Sequence, residues 1–280
     1  MSEPFDYVNY WTEIKLDIVQ EYASAYARIL SAQKSPPLKF IYIDAFAGAG
    51  IHISKRTGGY VPGSPLNALN VSPPFDEYHL IDLDGDKVDS LRSLTQGIPN
   101  VRIYKGDCNQ LLLTDVFLRA KFENYRRALC LLDPYGLHLN WEVIATAGQM
   151  KSIDIFLNFP VEDMNRNVLW RNPERVDPKQ VKRMTAFWGD DSWRDVAYDT
   201  SRNLFGLPEK LDNDTIAEAF RERLQKVAGF NHVLTPIPMR NSNNAVVYYL
   251  YFASQKPVAS NIVRDIFDKY RDKGAPSHGT

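Results

Sequence analysis

Acidic residues stand at the ends of four apolar, strand-like runs of this sequence; they are Asp44, Asp82, Asp107 and Asp133. The carboxyl ends of parallel strands meet at one edge of an open α/β sheet, and ligands bind in the crevice there. A carboxylate offers several acceptor sites for hydroxyl, ammonium or amine groups. Helix N-capping is the alternative for any one of these acids. Because four caps need not all coincide with strand ends, we expect the four carboxylates to converge on one cleft.

A glycine-containing turn follows the first apolar run. Residues 40–43 are apolar and partly β-branched, which predicts a buried strand. Glycine permits positive φ angles and a close approach of the backbone to a ligand. An ordinary strand-to-helix turn is the alternative. The residues that we predict to hold the amino-acid end of a nucleoside ligand are Asp44, Phe46, Ala47, Gly48 and Gly50.

The next two strand ends carry residues suited to the nucleoside itself. Asp82, followed by Leu83, can accept hydrogen bonds from both ribose hydroxyls. Asp107, followed by Cys108, can accept a hydrogen bond from the exocyclic amine of adenine. NAD fits less well, because the turn lacks a full G-x-G-x-x-G leading into a helix. In addition, the acid expected ~20 residues after the glycine turn appears only at Asp82, further along the chain. The P-loop pattern of ATPases does not occur.

The sharpest motif is Asp133-Pro134-Tyr135-Gly136, which follows the fourth apolar run. Proline fixes one φ angle and has no N–H group, so carbonyl groups can point into the crevice. Asp133 and such a carbonyl would accept hydrogen bonds from an exocyclic amine, and Tyr135 would stack on a planar base. A base in a duplex would first have to be flipped out. The predicted catalytic residues are therefore Asp133, Pro134 and Tyr135, with a plain tight turn as the alternative.

Strand-like and helix-like segments alternate along the chain, which predicts a doubly wound, mostly parallel α/β sheet. Residues 11–30 predict an amphipathic N-terminal helix whose Lys15 or Tyr22 could line the ligand edge. Two β runs, at residues 232–238 and 245–253, predict a C-terminal antiparallel hairpin. The five predicted parallel strands cover residues 40–43, 78–82, 101–104, 128–132 and 153–159.

A parallel five-stranded core closed by such a hairpin is the class I methyltransferase variant of the doubly wound, Rossmann-like fold. Together with the acids and the glycine turn, it predicts S-adenosyl-L-methionine as the cofactor. We expect one methyltransferase-like domain over residues 1–280, with an N-terminal helical segment at 1–38. Residues 161–228 follow the fifth strand and predict a helical insertion or cap, because they exceed the usual length of a connection.

Composition restricts the partners and the compartment. The net charge is −1 and the pI is about 6.5, so only a local basic patch could bind nucleic acid. The two cysteines, Cys108 and Cys130, have no metal-like spacing, and we predict reduced core thiols and no metal site. No apolar stretch approaches the roughly 18 residues of a membrane span. The N-terminus does not resemble a signal peptide, so a cytoplasmic protein without membrane association is predicted.

Several stretches together resemble the three-Cys-motif partner (TcmP) family. The resemblance implies a class I methyltransferase-like domain that uses S-adenosylmethionine, and a functional partner carrying a three-cysteine motif. Residues 133–136 also resemble the motif of tRNA guanine-N2 dimethyltransferases, and they depart from the (D/N/S)PP(Y/F) of amino-methyltransferases in lacking the second proline. The stretches that carry the family resemblance are residues 40–50, 63–69, the Asp82 segment, 133–136, the helix with Lys15, Leu16 and Tyr22, and 187–189.

Two functions of different kinds are consistent with these features. The first is an enzyme that transfers a methyl group from S-adenosylmethionine to an exocyclic amine of a base in RNA or DNA. The second is a non-catalytic or cofactor-sensing module that serves a three-Cys-motif protein by contact. Binding of the cofactor, followed by methyl incorporation into nucleic acid, would separate the first function from the second.

Overall fold

The computed structural model describes residues 5–199 and 209–271. Apolar runs form most of the strands, as the sequence predicts. In chain order, the strands are β1 (Asp6–Val8), β2 (Lys39–Asp44), β3 (Ile51–Ser54), β4 (Tyr60–Pro62), β5 (Glu77–Asp82), β6 (Val101–Lys105), β7 (Arg126–Leu132), β8 (Ile153–Phe159), β9 (Tyr198–Asp199), β10 (Glu209–Lys210), β11 (His232–Val233), β12 (Ile237–Arg240) and β13 (Val246–Ser254).

Helices separate most of these strands, and several begin at an Asp whose carboxylate accepts a backbone N–H bond. Short π- or 3-10-helical turns occur at 112–119, 122–124 and 173–175. The α-helices are α1 (Tyr10–Ala32), α2 (Ser64–Leu69), α3 (Gly85–Leu94), α4 (Cys108–Leu111), α5 (Trp141–Met150), α6 (Val161–Asn167), α7 (Pro178–Trp188), α8 (Trp193–Ala197), α9 (Asn213–Lys226) and α10 (Pro257–Arg271).

The central sheet has the strand order β11-β13-β8-β7-β2-β5-β6, and β12 also pairs with β13. Strands β6, β5, β2, β7 and β8 are parallel, whereas β13 runs antiparallel to β8. After β2 the chain adds β5 and β6 on one side, and it then returns to add β7 and β8 on the other side. This switch point between β2 and β7 places the crevice at the carboxyl ends of the parallel strands. The predicted α/β fold, mostly parallel with an antiparallel C-terminal part, is confirmed.

Both faces of the sheet are covered, so the central strands β2, β7 and β8 are buried over most of their length. Strand β6, at the edge, keeps Arg102 and Lys105 exposed. Alternate residues of β2 point to opposite faces. Ile41 and Ile43 belong to a core formed with α5, α7 and α9, and Phe40 and Tyr42 belong to a second core formed with α1, α2 and α10. The helix at residues 11–30 is thus confirmed as one that packs across the sheet, and it extends from Tyr10 to Ala32.

The segment between the glycine turn and α2 forms a β-hairpin. Strands β3 and β4 are antiparallel, and β1 pairs with β3 in parallel to complete a three-stranded sheet. Gly63 is the N-cap of α2, and Ser64 is the first residue of that helix. The Ser64 side chain is hydrogen-bonded to Asp44.

Residues 161–228, which we predicted as a helical insertion or cap, contain α6 to α9 and the two-strand pair of β9 and β10. Residues 200–208 of this stretch lie outside the described part. The expected C-terminal hairpin is divided, because its first run forms β11 and β12 with Pro236 between them, and proline cannot donate a ladder hydrogen bond. Within residues 5–199 and 209–271, no helix combines the length and the apolar character that a membrane crossing requires.

Candidate cofactor and acceptor site

Two adjacent cavities lie at the carboxyl edge of the sheet. The first, of about 360 Å³, is named here the Asp82 cavity, and the second, of about 230 Å³, the Asp133 cavity. Phe46 and Tyr135 line both, so the cavities meet at these two side chains. The other residues that line the Asp82 cavity are Ala45, Leu83, Gly106, Asp107, Cys108, Asn109 and His138.

The Asp82 carboxylate connects the ends of the first two parallel strands. Its Oδ2 accepts the Gly48 N–H at 2.8 Å, and its Oδ1 accepts the Asp84 N–H at 2.9 Å. Two backbone donors fix the orientation of the carboxylate, while each oxygen keeps a second lone pair. Asp82 therefore presents a fixed pair of acceptors to the cavity that it lines.

Asp107 caps α4, and its Oδ1 also accepts the side-chain amide of Asn109 at 2.9 Å. That amide donates to the His138 carbonyl as well, which ties the end of β6 to the segment after the Asp133 motif. Burial raises the pKa of the neighbouring Cys108 thiol to about 12, so the thiol is protonated at neutral pH. The capping and ligand-binding interpretations of Asp107 are therefore compatible, because the carboxylate both caps the helix and lines the cavity.

Asp44 is placed differently from the other three acids. Its side chain is fully buried and lines neither cavity. Burial raises its pKa to about 7, against the opposing effects of the Ser64 hydrogen bond and the Phe46 N–H bond. The expectation that all four carboxylates reach one cleft is therefore wrong for Asp44, since the carboxylate is enclosed beneath the turn and acts on the turn itself.

Some residues of the glycine turn line a cavity, and others pack behind it. Phe46, Ala47 and Gly48 line the Asp133 cavity, and Gly48 has a φ of 64°, a conformation that favours glycine. Gly50 lines neither cavity; its carbonyl accepts the Gly63 N–H at 2.8 Å. A Cβ on Gly50 would lie only 3.0 Å from Leu91, so its role in the described structure is close packing.

The Asp133 carboxylate lies at the centre of a polar cluster. Its Oδ2 contacts the Lys15 ammonium, and its Oδ1 accepts the Asn158 amide at 3.0 Å. The side chains are only partly accessible, at 6% for Lys15 and 23% for Asp133. Asn158 also donates to the Pro134 carbonyl at 3.3 Å, and its own Oδ1 has no partner among the described residues. The cluster therefore holds one unused buried acceptor beside the carboxylate.

Tyr135 stands between the two cavities and is 74% exposed. Its hydroxyl donates to Asp6 at 2.8 Å, and Asp6 forms an ion pair with Lys87 at 2.6 Å. The Lys87 ammonium lies 5.5 Å from the centroid of the Tyr135 ring, a cation–π distance. These contacts join the motif to β1, whose three residues line the Asp133 cavity.

Gly136 permits a close contact that fixes the end of the motif. A Cβ at this position would lie 2.7 Å from Asp163 Oδ2. The same oxygen accepts the Leu137 N–H at 3.0 Å and the Arg183 guanidinium at 3.2 Å. Only a residue without a side chain leaves room for this carboxylate.

Sequence reasoning located part of the site and missed part of it. Lys15 is near the ligand edge as expected, but Tyr22 is not: it is buried and its hydroxyl donates to Asp154 at the other end of the sheet. Asn158 was not predicted, although it is a polar residue in the apolar run of β8. His52 also lines the Asp133 cavity, where burial lowers the pKa of its imidazole.

Comparison with models of protein families found no match, and comparison with curated proteins found none either. Among solved structures, a protein from Legionella pneumophila described by family-model DUF519 has a TM-score of 0.53 and 14% identity, covering 93% of this chain and 94% of that chain. A putative methyltransferase from Thermobifida fusca has a TM-score of 0.42 and 14% identity, covering 86% and 81%. At 14% identity, the similarity to the Legionella pneumophila protein concerns the fold alone. The strand order and the antiparallel β13 give this chain a class I methyltransferase-like fold.

Proposed function

We propose that this chain is an S-adenosylmethionine-dependent methyltransferase that modifies an exocyclic amine of a nucleic-acid base. The observation that supports this most is the junction of the two cavities. One contains a carboxylate held by two backbone N–H groups, and the other contains the Asp133 cluster. Tyr135 borders both, so a group bound in one cavity can meet a group bound in the other.

The residues of the Asp82 cavity fit an adenosyl group. Its volume of about 360 Å³ is within the usual range for small-molecule sites. The fixed carboxylate of Asp82 suits a pair of ribose hydroxyls, and Asp107 suits the adenine amine. Phe46, Ala47 and Gly48 would contact the amino-acid end, where the cavities meet. When bound, the cofactor supplies an electrophilic methyl group.

The Asp133 cluster fits an amine acceptor. The unpartnered Asn158 Oδ1 and a free lone pair of Asp133 can accept the two N–H groups of an exocyclic amine. The nitrogen lone pair would then face the junction of the two cavities. With the cofactor bound, the nitrogen would form a bond to the methyl carbon as the carbon–sulfur bond breaks and S-adenosylhomocysteine leaves. Asp133 would then accept the proton that the positively charged amine loses. Fixed positioning of this kind can contribute about 7–11 kcal/mol.

Tyr135 has the exposure and the place expected of a stacking surface. A base flipped out of RNA or DNA could lie on its ring while the amine enters the Asp133 cavity. The Asp6 hydrogen bond limits the rotation of the Tyr135 side chain. The imidazole of His52, neutral at pH 7 because of its lowered pKa, would add a polar contact at the same wall.

Methyl incorporation from labelled S-adenosylmethionine into bulk RNA and into bulk DNA tests the proposal. We expect incorporation into one of them, loss of it in Asp133→Ala, and unchanged cofactor affinity in that variant. Asp84→Ala is the matched control, because Asp84 caps α3 and lines neither cavity. Incorporation that persists in Asp133→Ala would reject the role of the cluster.

One observation favours a second candidate, a cofactor-binding module without catalysis. Both Asp133 oxygens are already occupied, by Lys15 and by Asn158, so the cluster is stable without a substrate. In that case the resemblance to three-Cys-motif partners describes the function: the chain binds S-adenosylmethionine and contacts a protein with a three-cysteine motif. A thermal shift with the cofactor, without methyl transfer to RNA or DNA even when such a partner is added, would favour this module over the enzyme.

A further inference from the structure

A third cavity lies at the opposite edge of the sheet from the proposed active site. Its volume is about 420 Å³, which is within the usual range for small-molecule sites. The strand residues that line it stand at the amino ends, namely Arg127 near the start of β7 and Asp154 near the start of β8, with Ser152 just before. It is therefore separate from the Asp82 and Asp133 cavities, and we call it the amino-end cavity.

The wall of the amino-end cavity is largely apolar, and its rim exposes large hydrophobic side chains to solvent. Ile29, Phe122, Tyr125 and Val258 are between 44% and 53% exposed, and all four line the cavity. Exposed apolar side chains scattered singly need no explanation, but a group of them around a concave opening is typical of a binding site.

Two buried polar atoms in this cavity lack partners. Ser152 is 4% exposed, and its Oγ has no hydrogen-bond partner among the described residues. The Gln255 amide is fixed by donation to the carbonyls of Gly148 and Gly229 at 3.0 and 2.9 Å, which leaves its Oε1 unpaired in the described structure. Buried polar groups without partners are rare and costly, so these two atoms point to a polar ligand group.

Positively charged side chains outnumber carboxylates around the cavity. Arg127, Lys151 and Lys256 line it, and none of them forms a side-chain ion pair within the described ranges. The one lining carboxylate, Asp154, already accepts the Tyr22 hydroxyl at 2.8 Å and a Ser254 hydrogen bond. The other titratable groups that line it are the phenols of Tyr22, Tyr26 and Tyr125.

Arg127 is placed to bind an anion. Its guanidinium carbon lies 3.8 Å from the centroid of the Phe122 ring, and its Nη1 donates to the carbonyls of Phe122 and Arg126. These contacts hold the group in position and leave its other N–H groups without a partner among the residues that are described. An apolar cavity with surplus positive charge favours a ligand that is apolar at one end and anionic at the other.

We infer that the amino-end cavity binds a small organic carboxylate with an aromatic or aliphatic body, its carboxylate at Arg127, Ser152 and Lys256. This site is independent of the proposed methyl transfer. The body would lie against Tyr26, Ile29 and Val258, and a hydroxyl or amide N–H on the ligand would satisfy Gln255 Oε1. The ligand would thus supply partners to the atoms that lack them.

A matched series of probes tests the inference by calorimetry on the full chain: 4-phenylbutyrate, 4-phenylbutanol and 4-phenylbutylamine. They share one body and differ in the head group. We expect the acid to bind about tenfold more tightly than the alcohol and the amine, as one charge-assisted contact predicts. Equal affinities of the acid and the alcohol, or no saturable binding of the acid, would overturn the inference.

Variants locate the binding and separate it from loss of folding. Lys256→Gln should lower the affinity for the acid about threefold to tenfold and leave the affinity for the alcohol unchanged. Lys182→Gln, which removes an exposed charge elsewhere, should change neither affinity. Ser152→Ala should lower the affinity for the acid. Its midpoint of thermal unfolding should be at least as high as that of the wild type, because the variant loses a hydroxyl that has no partner among the described residues. If neither Lys256→Gln nor Ser152→Ala lowers the affinity for the acid, the assigned site is wrong.

Discussion

The ammonium of Lys15 contacts Oδ2 of Asp133, although the two residues are 118 positions apart in the sequence. Lys15 is on α1, and Asp133 follows β7. The ring of Tyr248, from β13, lies 5.5 Å from the same ammonium. Lys15 therefore holds the carboxylate that we propose to receive the substrate amine, and Tyr248 contacts the ammonium of Lys15.

The first prediction concerns this pair. Lys15→Met removes the cation and keeps the length of the side chain, so Asp133 is left with Asn158 as its remaining partner. We expect kcat for methyl transfer to fall at least about tenfold, because ~1.4 kcal/mol of lost positioning is enough for that factor. Cofactor affinity should remain, since Lys15 does not line the Asp82 cavity.

Lys55→Met is the control for the Lys15 variant, because Lys55 is exposed and lines neither cavity. Steady-state kinetics with the methylated nucleic acid would measure the effect. A kcat equal to that of the wild type in Lys15→Met would show that the ion pair has no part in the transfer.

The second prediction concerns Asp82, which accepts the N–H groups of Gly48 and Asp84. Asp82→Ala removes these bonds and the proposed ribose contact. We expect the affinity for S-adenosylmethionine to fall about tenfold to a hundredfold, since hydrogen bonds to charged groups contribute about 1.5–3 kcal/mol. Calorimetry on Asp82→Ala and Asp84→Ala would separate loss of the site from loss of a helix cap, and a similar affinity in both would contradict the assignment.

The third prediction is a pH dependence of stability. The pKa of Asp44 is about 7 in the folded protein, above the ~3.9 of an unfolded chain. Between these values the folded state binds more protons, so Asp44 lowers the free energy of unfolding as pH rises from about 4 to 7. We expect Asp44→Asn to remove a decline on the order of 4 kcal/mol, since each unit of pKa difference corresponds to about 1.4 kcal/mol.

Urea unfolding at several pH values would measure this difference in slope. Asp89→Asn is the control, because the Asp89 side chain is 73% exposed and its replacement should leave the slope unchanged. An identical pH dependence in the wild type and in Asp44→Asn would show that the buried acid does not titrate in this range.

The fourth prediction concerns Gly136, where a Cβ would lie 2.7 Å from Asp163 Oδ2. Gly136→Ala must displace a carboxylate that accepts the Leu137 N–H and the Arg183 guanidinium. We expect a loss of about 1–3 kcal/mol in the free energy of unfolding. Gly59→Ala should be nearly neutral in the same urea titration, because its φ is not positive and its nearest neighbour is a side-chain atom at 3.4 Å. Equal stability of Gly136→Ala and wild type would contradict the proposed packing.

The fold could be predicted because most strands of the parallel sheet contain an apolar run bounded by turn residues. The buried strands need apolar residues on both faces, and that requirement is visible in one sequence. The small sheet of β1, β3 and β4 was not predicted. Its strands are only three or four residues long, and β1 pairs with a segment more than forty positions away.

The site could be predicted only where local sequence decides the geometry. Asp82 ends β5 and Asp107 lies two residues beyond β6, so the edge of the sheet brings both to the same cavity. The burial of Asp44 depends on Tyr42 and Ser64, whose hydroxyls contact it from other positions. The position of Asn158 depends on the pairing of β7 with β8, which no local pattern specifies. A polar residue inside an apolar strand was the available signal.

The central claim is that S-adenosylmethionine binds in the Asp82 cavity with its reactive end toward Tyr135. A crystal structure with S-adenosylhomocysteine tests it most directly. We predict density with both ribose hydroxyls at Asp82, the adenine amine at Asp107 and the sulfur at the junction of the two cavities. Density at any other place, or a cavity that stays without the nucleoside at a saturating concentration, would contradict the account.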